Sequence, residues 1–174
     1  MPEPADIKKL FKEKKETFFS LRKIIENSFQ TSLEYSVFIE QIIIEIVGTK
    51  KIDFAIASSG SFSRRELSQY SDIDLFFIVE NGKELDPEIN ILVTQLWDSG
   101  IEISHTVRDA SDIKKFLDED LHSFTQLFET RFIVGAKNVY DNWNQALLDS
   151  VTHEVKEKLV KALIEDAERR YQKF

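Results

Sequence analysis

The chain has 174 residues and a mass of 20.3 kDa, which suits one domain with a single hydrophobic core. Hydrophobic residues make up 42% and charged residues 31%, a composition that excludes a disordered or low-complexity chain. The net charge of −8 disfavours nucleic acid as the main partner, and the absence of cysteine excludes disulfides, thiolate nucleophiles and cysteine-ligated metals. The charged start lacks the apolar core of a signal peptide, and no apolar run approaches the length of a membrane span, so we expect a cytoplasmic protein without a membrane partner.

The first third of the chain is predicted to be helical. Apolar residues recur at spacings of three, four and seven over residues 6–27, with Lys and Glu between them, as is typical of an amphipathic helix. A second helix is predicted over 32–47, followed by Gly48, a residue that commonly closes helices. We expect residues 1–48 to form a helical region that packs on the core of the protein.

Three strands are predicted in residues 49–150, which we assign as the core. A β-prone run over 52–57 leads into a turn rich in Ser and Gly. The run over 73–79 is apolar on both alternating faces after its first carboxylates, which predicts a central strand covered on both sides. Alternation over 101–107 predicts the third strand.

The remaining segments are predicted to be helices. Asp86-Pro87 matches an N-cap followed by proline at the first helical position, which predicts a helix that continues through Trp97. Everything beyond Asp109 is predicted to be helical with a break at Gly135, and residues 151–174 form a C-terminal helix that can begin a linker. This order of elements predicts an α+β fold, in which a small mixed β-sheet has a helical cover.

The segment between the first two strands is a candidate phosphate loop. Ser63 followed by Glu66 matches a capping box, so a short helix is predicted to begin at Ser63. The free N–H groups and positive dipole end of such a helix favour a phosphate. Gly60 permits close approach of a ligand to the backbone, and the Ser61 hydroxyl adds a donor. Taken alone, such a sequence is more often just a turn.

Three carboxylates are candidate metal ligands. Asp72 and Asp74 lie two apart on a strand, so they face the same side about 6.6 Å apart. Adjacent carboxylates repel each other unless cations neutralise them, and Mg²⁺ prefers oxygen ligands of this kind. Glu102 completes a triad if the third strand lies beside the second, where it bridges metal or accepts a proton. The alternatives are turn chemistry for the two aspartates and a solvated edge strand for Glu102.

Two arginines are candidate ligands for phosphate. The planar guanidinium of Arg64 or Arg108 suits the charge of a triphosphate or of a pyrophosphate leaving group. Salt bridges to nearby acids are the alternative role. His105 is expected to be structural, through a hydrogen bond, because the other histidines supply no metal-ligand spacing.

These motifs resemble the nucleotidyltransferase superfamily typified by DNA polymerase beta, which has a Gly-Ser turn, two aspartates on the next strand and a later strand carboxylate. Within it, the spacing is similar to that of the PII-protein uridylyltransferase branch. The resemblance covers roughly residues 52–143 and consists of three ordered blocks. These blocks are 60–75, 96–108 and 128–135.

The resemblance implies a nucleotidyltransferase fold and an enzyme that moves a nucleoside monophosphate from an NTP to an acceptor hydroxyl, with release of pyrophosphate. It implies that Asp72, Asp74 and Glu102 are the catalytic acids and the Mg²⁺ ligands. It also implies that Gly60 and Ser61 hold the nucleotide phosphates. UTP and a tyrosine hydroxyl of a PII-like regulatory protein are the expected substrates on the strength of the resemblance alone.

The chain departs from the branch at the positions of Ser61, Ser63 and Arg65, where the branch usually has glycine. The bulkier loop leaves nucleotide preference open, so ATP with another acceptor is the first alternative. The second is a nucleotide-sensing or docking module without turnover, and the third, an enzyme acting on nucleic acid, is disfavoured by the net charge of −8. Members of the branch continue into a phosphohydrolase domain and regulatory domains, so we expect either a fragment or a shorter relative.

Overall fold

The computed structural model describes residues 4–80 and 87–172, which form helices around one β-sheet. The predicted N-cap Asp86 lies outside the described residues. In chain order the elements are α1 Pro4–Phe18, α2 Leu21–Val47, β1 Ala55–Ser59, α3 Gly60–Ser63, β2 Ile73–Ile78, α4 Pro87–Asp98, β3 Ile103–Arg108, α5 Ala110–Glu119, α6 Leu121–Gln126, β4 Thr130–Gly135, α7 Lys137–Ser150 and α8 His153–Tyr171.

The sheet has four strands in the order β3-β2-β1-β4. β1 pairs antiparallel with both β2 and β4, whereas β2 and β3 are parallel. The prediction of an α+β fold with a small mixed sheet is therefore confirmed. β2 lies inside the sheet, as predicted, and β3 lies beside it.

Helices cover both faces of the sheet, because the central strands are apolar on both faces. Leu75 and Phe77 of β2 join a buried cluster with α1, α2 and α4, while Phe76 and Ile78 join a second cluster with α5, α6 and α7. This alternation confirms the predicted two-sided burial of β2. Within the ranges 4–80 and 87–172, no helix has the length and apolar character needed to cross a bilayer.

The prediction that everything beyond Asp109 is helical is wrong for Thr130–Gly135, which forms β4. Its partner β1 precedes it by about seventy residues, with Ala55 opposite Gly135 and Ser59 opposite Thr130. Strand pairing over such a separation leaves no local periodicity that distinguishes a short apolar run from a helix segment.

The N-terminal helices also differ from the prediction. The helix predicted over 6–27 is interrupted: α1 ends at Phe18, and α2 begins at Leu21. α2 has a kink at Asn27 (φ −164°, ψ 92°), where the Asn27 Oδ1 accepts a hydrogen bond of 3.0 Å from the N–H of Gln30. The predicted helix over 32–47 is the part of α2 beyond this kink.

Candidate functional site

The site begins where the end of β1 meets the start of β2. In the antiparallel register Ser58 lies opposite Leu75, so the residues that follow β1 lie next to the first residues of β2. Gly60 has φ +56°, and a Cβ at this position would lie 3.4 Å from Oδ2 of Asp74. Glycine here both permits the left-handed turn and keeps the approach to the Asp74 carboxylate open.

The short helix after β1 begins earlier than predicted. α3 spans Gly60–Ser63, so the prediction that a helix begins at Ser63 is wrong. The Ser63 hydroxyl donates to the Gly60 carbonyl at 2.8 Å, and the Glu66 carboxylate accepts from Arg64 rather than capping a helix. Ser61 therefore lies in the first turn of α3, directly after β1.

α3 is held in place by Arg131 of the unpredicted strand β4. Its guanidinium donates to the carbonyls of Ser63 at 3.0 Å and Phe62 at 3.2 Å, at the end of this short helix. Arg131 also pairs with Glu40 of α2, and Glu40 pairs with Arg65 at 3.2 Å. Arg65 has φ +59°, the region that favours glycine, which gives a backbone reason for the glycine of the resembling branch at this position.

Asp74 is the electrostatically perturbed acid of the site. Burial raises the pKa of Asp74, the negative charge of Asp72 raises it further, and a hydrogen bond from Ser104 acts in the opposite direction. Ser104 is the residue of β3 that lies opposite Asp74 in the parallel register. The structure thus brings Asp72 and Asp74 into interaction, as the sequence predicts.

Glu102 lies directly before β3, beside the strand that carries the two aspartates. The first residue pair between β2 and β3 joins Ile73 and Ile103, so Asp72 and Glu102 both immediately precede their strands, and both are exposed. The condition on which the carboxylate triad depends, that the third strand lies beside the second, is therefore met. In the part of the chain that the structure describes, however, no group of three or more His, Cys, Asp or Glu side chains is placed to hold a metal.

The donor set nevertheless fits Mg²⁺. This ion usually takes one or two carboxylates from a protein and completes its shell with water and substrate phosphates. The interacting pair Asp72 and Asp74 supplies that number of carboxylates, and the cation would offset their repulsion. The role of Glu102 as a third acid stays a prediction.

A cavity of about 330 Å³ opens at this edge of the sheet. It lies over the sheet face that carries Asp74 and Phe76, and its walls come from β1, β2, β3, α6 and the segment before β4. Its lining residues are Ser59, Gly60, Asp74, Leu75, Phe76, Ser104, His105, Thr106, Arg108, Gln126 and Glu129.

Arg64 is occupied by carboxylates in this structure. Its Nε lies 2.9 Å from Glu66 and its Nη1 lies 2.5 Å from Glu129. The hydrogen bond to Glu66 and the negative charges of both glutamates raise the pKa of Arg64 above its ordinary value. The salt-bridge alternative therefore describes its state here, and its phosphate-binding role stays a prediction.

His105 has aromatic neighbours. Its ring lies edge-on to Phe77 at 5.8 Å and to Trp97 at 6.1 Å between centroids. His105 therefore packs against aromatic rings. The sequence predicted a structural role through a hydrogen bond.

Five of the polar residues that line the cavity were not singled out from the sequence: Ser59, Ser104, Thr106, Gln126 and Glu129. The position of Thr106 could have been predicted from strand alternation. It lies two residues after Ser104 on β3 and so shares the sheet face of Asp74. Gln126 and Glu129 reach the cavity only because β4 returns to pair with β1, and local patterning did not reveal that pairing.

Comparison with known proteins agrees with this geometry. A family model described as "Nucleotidyltransferase domain" matches residues 40–167. The chain belongs to the nucleotidyltransferase domain family. This membership confirms the predicted family, and it supports the prediction that the protein is an enzyme.

Relatives of this nucleotidyltransferase domain include bifunctional uridylyltransferase/uridylyl-removing enzymes. The one from Hydrogenovibrio crunogenus is 33% identical over 119 residues, which cover 68% of this chain and 13% of the relative. The one from Haemophilus influenzae (strain PittEE) is 27% identical over 158 residues, covering 90% of this chain and 18% of the relative. The chain thus spans less than a fifth of the length of these relatives.

A solved structure titled "Crystal structure of the toxin-antitoxin with AMP-PNP" is similar to this nucleotidyltransferase domain. The matched region covers 74% of this chain and 97% of the chain in that structure. Its TM-score is 0.41 and its sequence identity is 16%, so this likeness carries no argument about function.

Proposed function

We propose that this domain transfers a nucleoside monophosphate, UMP, from an NTP to a hydroxyl group of a PII-like regulatory protein. The observation that carries the proposal is the close approach of the Gly60 turn to the Asp74 carboxylate, both of which line the same cavity. The matched family supports the reaction class, and the names of the uridylyltransferase relatives support UTP as donor.

The reaction exchanges a phosphoanhydride bond of the NTP for a phosphate ester bond to the acceptor. The acceptor oxygen forms a bond to the α-phosphorus of the NTP, and the bond from that phosphorus to the bridging oxygen of the β-phosphate breaks. Pyrophosphate leaves with the electron pair of the broken bond, and the hydroxyl proton passes to a base. Catalysis of such a transfer depends mainly on positioning and on stabilising the developing negative charge.

Asp72 and Asp74 are the residues that would hold Mg²⁺. When bound, the ion supplies positive charge to the phosphate oxygens and to the attacking and leaving oxygens. The raised pKa of Asp74 means that burial and the charge of Asp72 disfavour its ionised form, which a nearby cation would stabilise.

The remaining residues orient the substrate. Gly60 leaves room for an α-phosphate beside Asp74, since any side chain there would contact the carboxylate. Ser61 follows Gly60 in the first turn of α3, and its hydroxyl is the proposed additional donor to a phosphate oxygen. Glu102, exposed beside the start of β3, is the proposed acceptor of the hydroxyl proton.

A nucleotide-sensing module without turnover is the second candidate. It is favoured by one observation: in the ranges that the structure describes, the acids do not form a group of three placed to hold a metal. Such a module would bind an NTP at the same cavity and leave it intact.

The test is transfer and pyrophosphate release with each of the four α-labelled NTPs, with Mg²⁺ and a purified PII protein. We expect UTP to give labelled PII protein and an equal amount of pyrophosphate, and a chelator to stop both. ATP as the better donor would favour the first alternative. Saturable nucleotide binding with no pyrophosphate from any NTP would instead establish the sensing module.

A further inference from the structure

Arg108 on the cavity wall is a cation that has no acid partner among the described residues. Arg108 is the last residue of β3 and shares its sheet face with Ser104 and Thr106, which is the face of Asp74. Its guanidinium lies over the ring of Phe76 at 5.3 Å. Phe76 is the next residue after Asp74 on this face, about 6.6 Å further along the strand. The long Arg108 side chain therefore reaches back toward the carboxylate end of the cavity.

The guanidinium of Arg108 is held by rings instead of carboxylates. Besides Phe76, it contacts the ring of Phe116 of α5 at 5.0 Å. Its Nε is buried and finds no hydrogen-bond partner in the ranges 4–80 and 87–172. Arg64 and Arg131, by contrast, each pair with a glutamate, whereas the ion pairs of the described residues include none of Arg108.

Thr106 presents a second unused polar group on the same wall. Its Oγ1 is buried and also has no hydrogen-bond partner in the part of the chain that the structure describes. Thr106 and Arg108 both line the cavity. Buried polar atoms are nearly always paired in folded proteins, so two atoms that find no partner among the described residues, on two side chains that line one cavity, favour a hydrogen-bonding ligand at that wall. Such a ligand must accept hydrogen bonds, because a guanidinium has donors only.

We propose that Arg108 and Thr106 form an oxyanion site that binds the phosphate chain of the nucleotide. This inference rests on the proposed function, because it takes the NTP as the molecule whose α-phosphate lies at Asp74. The two rings hold the guanidinium of Arg108 without using its N–H donors, and the planar fork of those donors can bind two oxygens of a phosphate together. Arg108 thus takes the charge-neutralising role for which Arg64, engaged by two glutamates, is poorly placed.

The test measures binding of inorganic tripolyphosphate, a nonhydrolysable UTP analogue and uridine, each with Mg²⁺, by calorimetry. In Arg108→Gln we expect at least about a tenfold weaker binding of tripolyphosphate and of the analogue, equal to about 1.4 kcal/mol, with uridine binding unchanged. Arg108→Lys restores part of the loss, because it keeps the charge without the planar fork. The matched control is Lys114→Gln, which removes an exposed charge from α5 and is expected to bind all three probes like the wild type.

Thermal melts establish that each variant is folded. Should Arg108→Gln fail to fold, Thr106→Val keeps the side-chain shape, removes the hydroxyl and is expected to weaken tripolyphosphate binding about threefold. Unchanged tripolyphosphate binding by a folded Arg108→Gln protein overturns the inference. If Arg108→Gln does not fold, unchanged binding by Thr106→Val overturns it.

The two proposals fail separately. Arg108-dependent tripolyphosphate binding by a wild-type protein that releases no pyrophosphate supports the oxyanion site and contradicts the transferase. Normal UMP transfer by Arg108→Gln with an unchanged KM for UTP supports the transferase and contradicts the oxyanion site.

Discussion

Replacing Gly60 by alanine separates the folding role of this turn from its role in the site. The residue has φ +56°, and the new Cβ would lie 3.4 Å from the Asp74 Oδ2. Left-handed backbone costs an L-residue roughly 1–2 kcal/mol. For a chain of this length, that loss lowers the melting temperature by about 2–8 °C.

The expected loss of activity is larger than the loss of stability. The alanine methyl group occupies the space through which a phosphate approaches Asp74, and a displacement of about 1 Å at a reacting centre can reduce a rate on the order of 100-fold. We therefore expect Gly60→Ala to remain folded at 25 °C and to lose about 99% of its UMP transfer.

Gly100→Ala is the matched control. Gly100 has φ +78°, and its new Cβ would lie 3.4 Å from Cγ of Lys8, a flexible exposed side chain away from the cavity. It should lose similar stability and keep wild-type transfer. Melts by circular dichroism and initial rates of transfer from labelled UTP measure the two effects. Equal transfer by the two folded variants would refute the proposed role of Gly60.

Two further substitutions test the electrostatics. Asp74→Asn is expected to raise the melting temperature, because burial and the charge of Asp72 hold the folded-state pKa of Asp74 above its unfolded value. Between the unfolded-state and the folded-state pKa of Asp74, the wild type loses stability as pH rises. The difference in melting temperature between the variant and the wild type is therefore absent in acid, grows up to the raised pKa and is constant at higher pH. Melting curves that coincide at neutral pH would contradict this. Glu40→Gln leaves Arg131 without its carboxylate, and since the Glu40 side chain is 12% exposed we expect a loss of about 2 kcal/mol in urea unfolding. Asp141→Asn, which breaks an exposed pair, should change stability by less than about 0.5 kcal/mol, and equal losses would refute the difference.

The sequence was informative where burial leaves a local pattern. β2 is apolar on both faces, so its central place follows from its residues, and the position of Asp72 and Asp74 follows from β2. The alternating third strand also formed as predicted and lies beside β2. Each of these conclusions depends on contacts within a few residues or between neighbouring elements.

The failures have a common physical origin in contacts that sequence spacing does not show. β4 forms by pairing with β1 far along the chain, and with it come Glu129 and Arg131, which hold the Gly60 turn in place. Ser63 and Glu66 match the spacing of a capping box. In the structure, however, the Glu66 carboxylate pairs with Arg64 and does not cap a helix.

The most direct test of the central claim compares label transfer from α-labelled UTP to a PII protein by the wild type and by Asp74→Asn at saturating Mg²⁺. The proposed site predicts labelled protein with the wild type and loss of nearly all label with the folded variant, because Asp74 is the part-buried carboxylate against the Gly60 turn. Transfer at the wild-type rate by Asp74→Asn would contradict the assignment of this cavity as the active site.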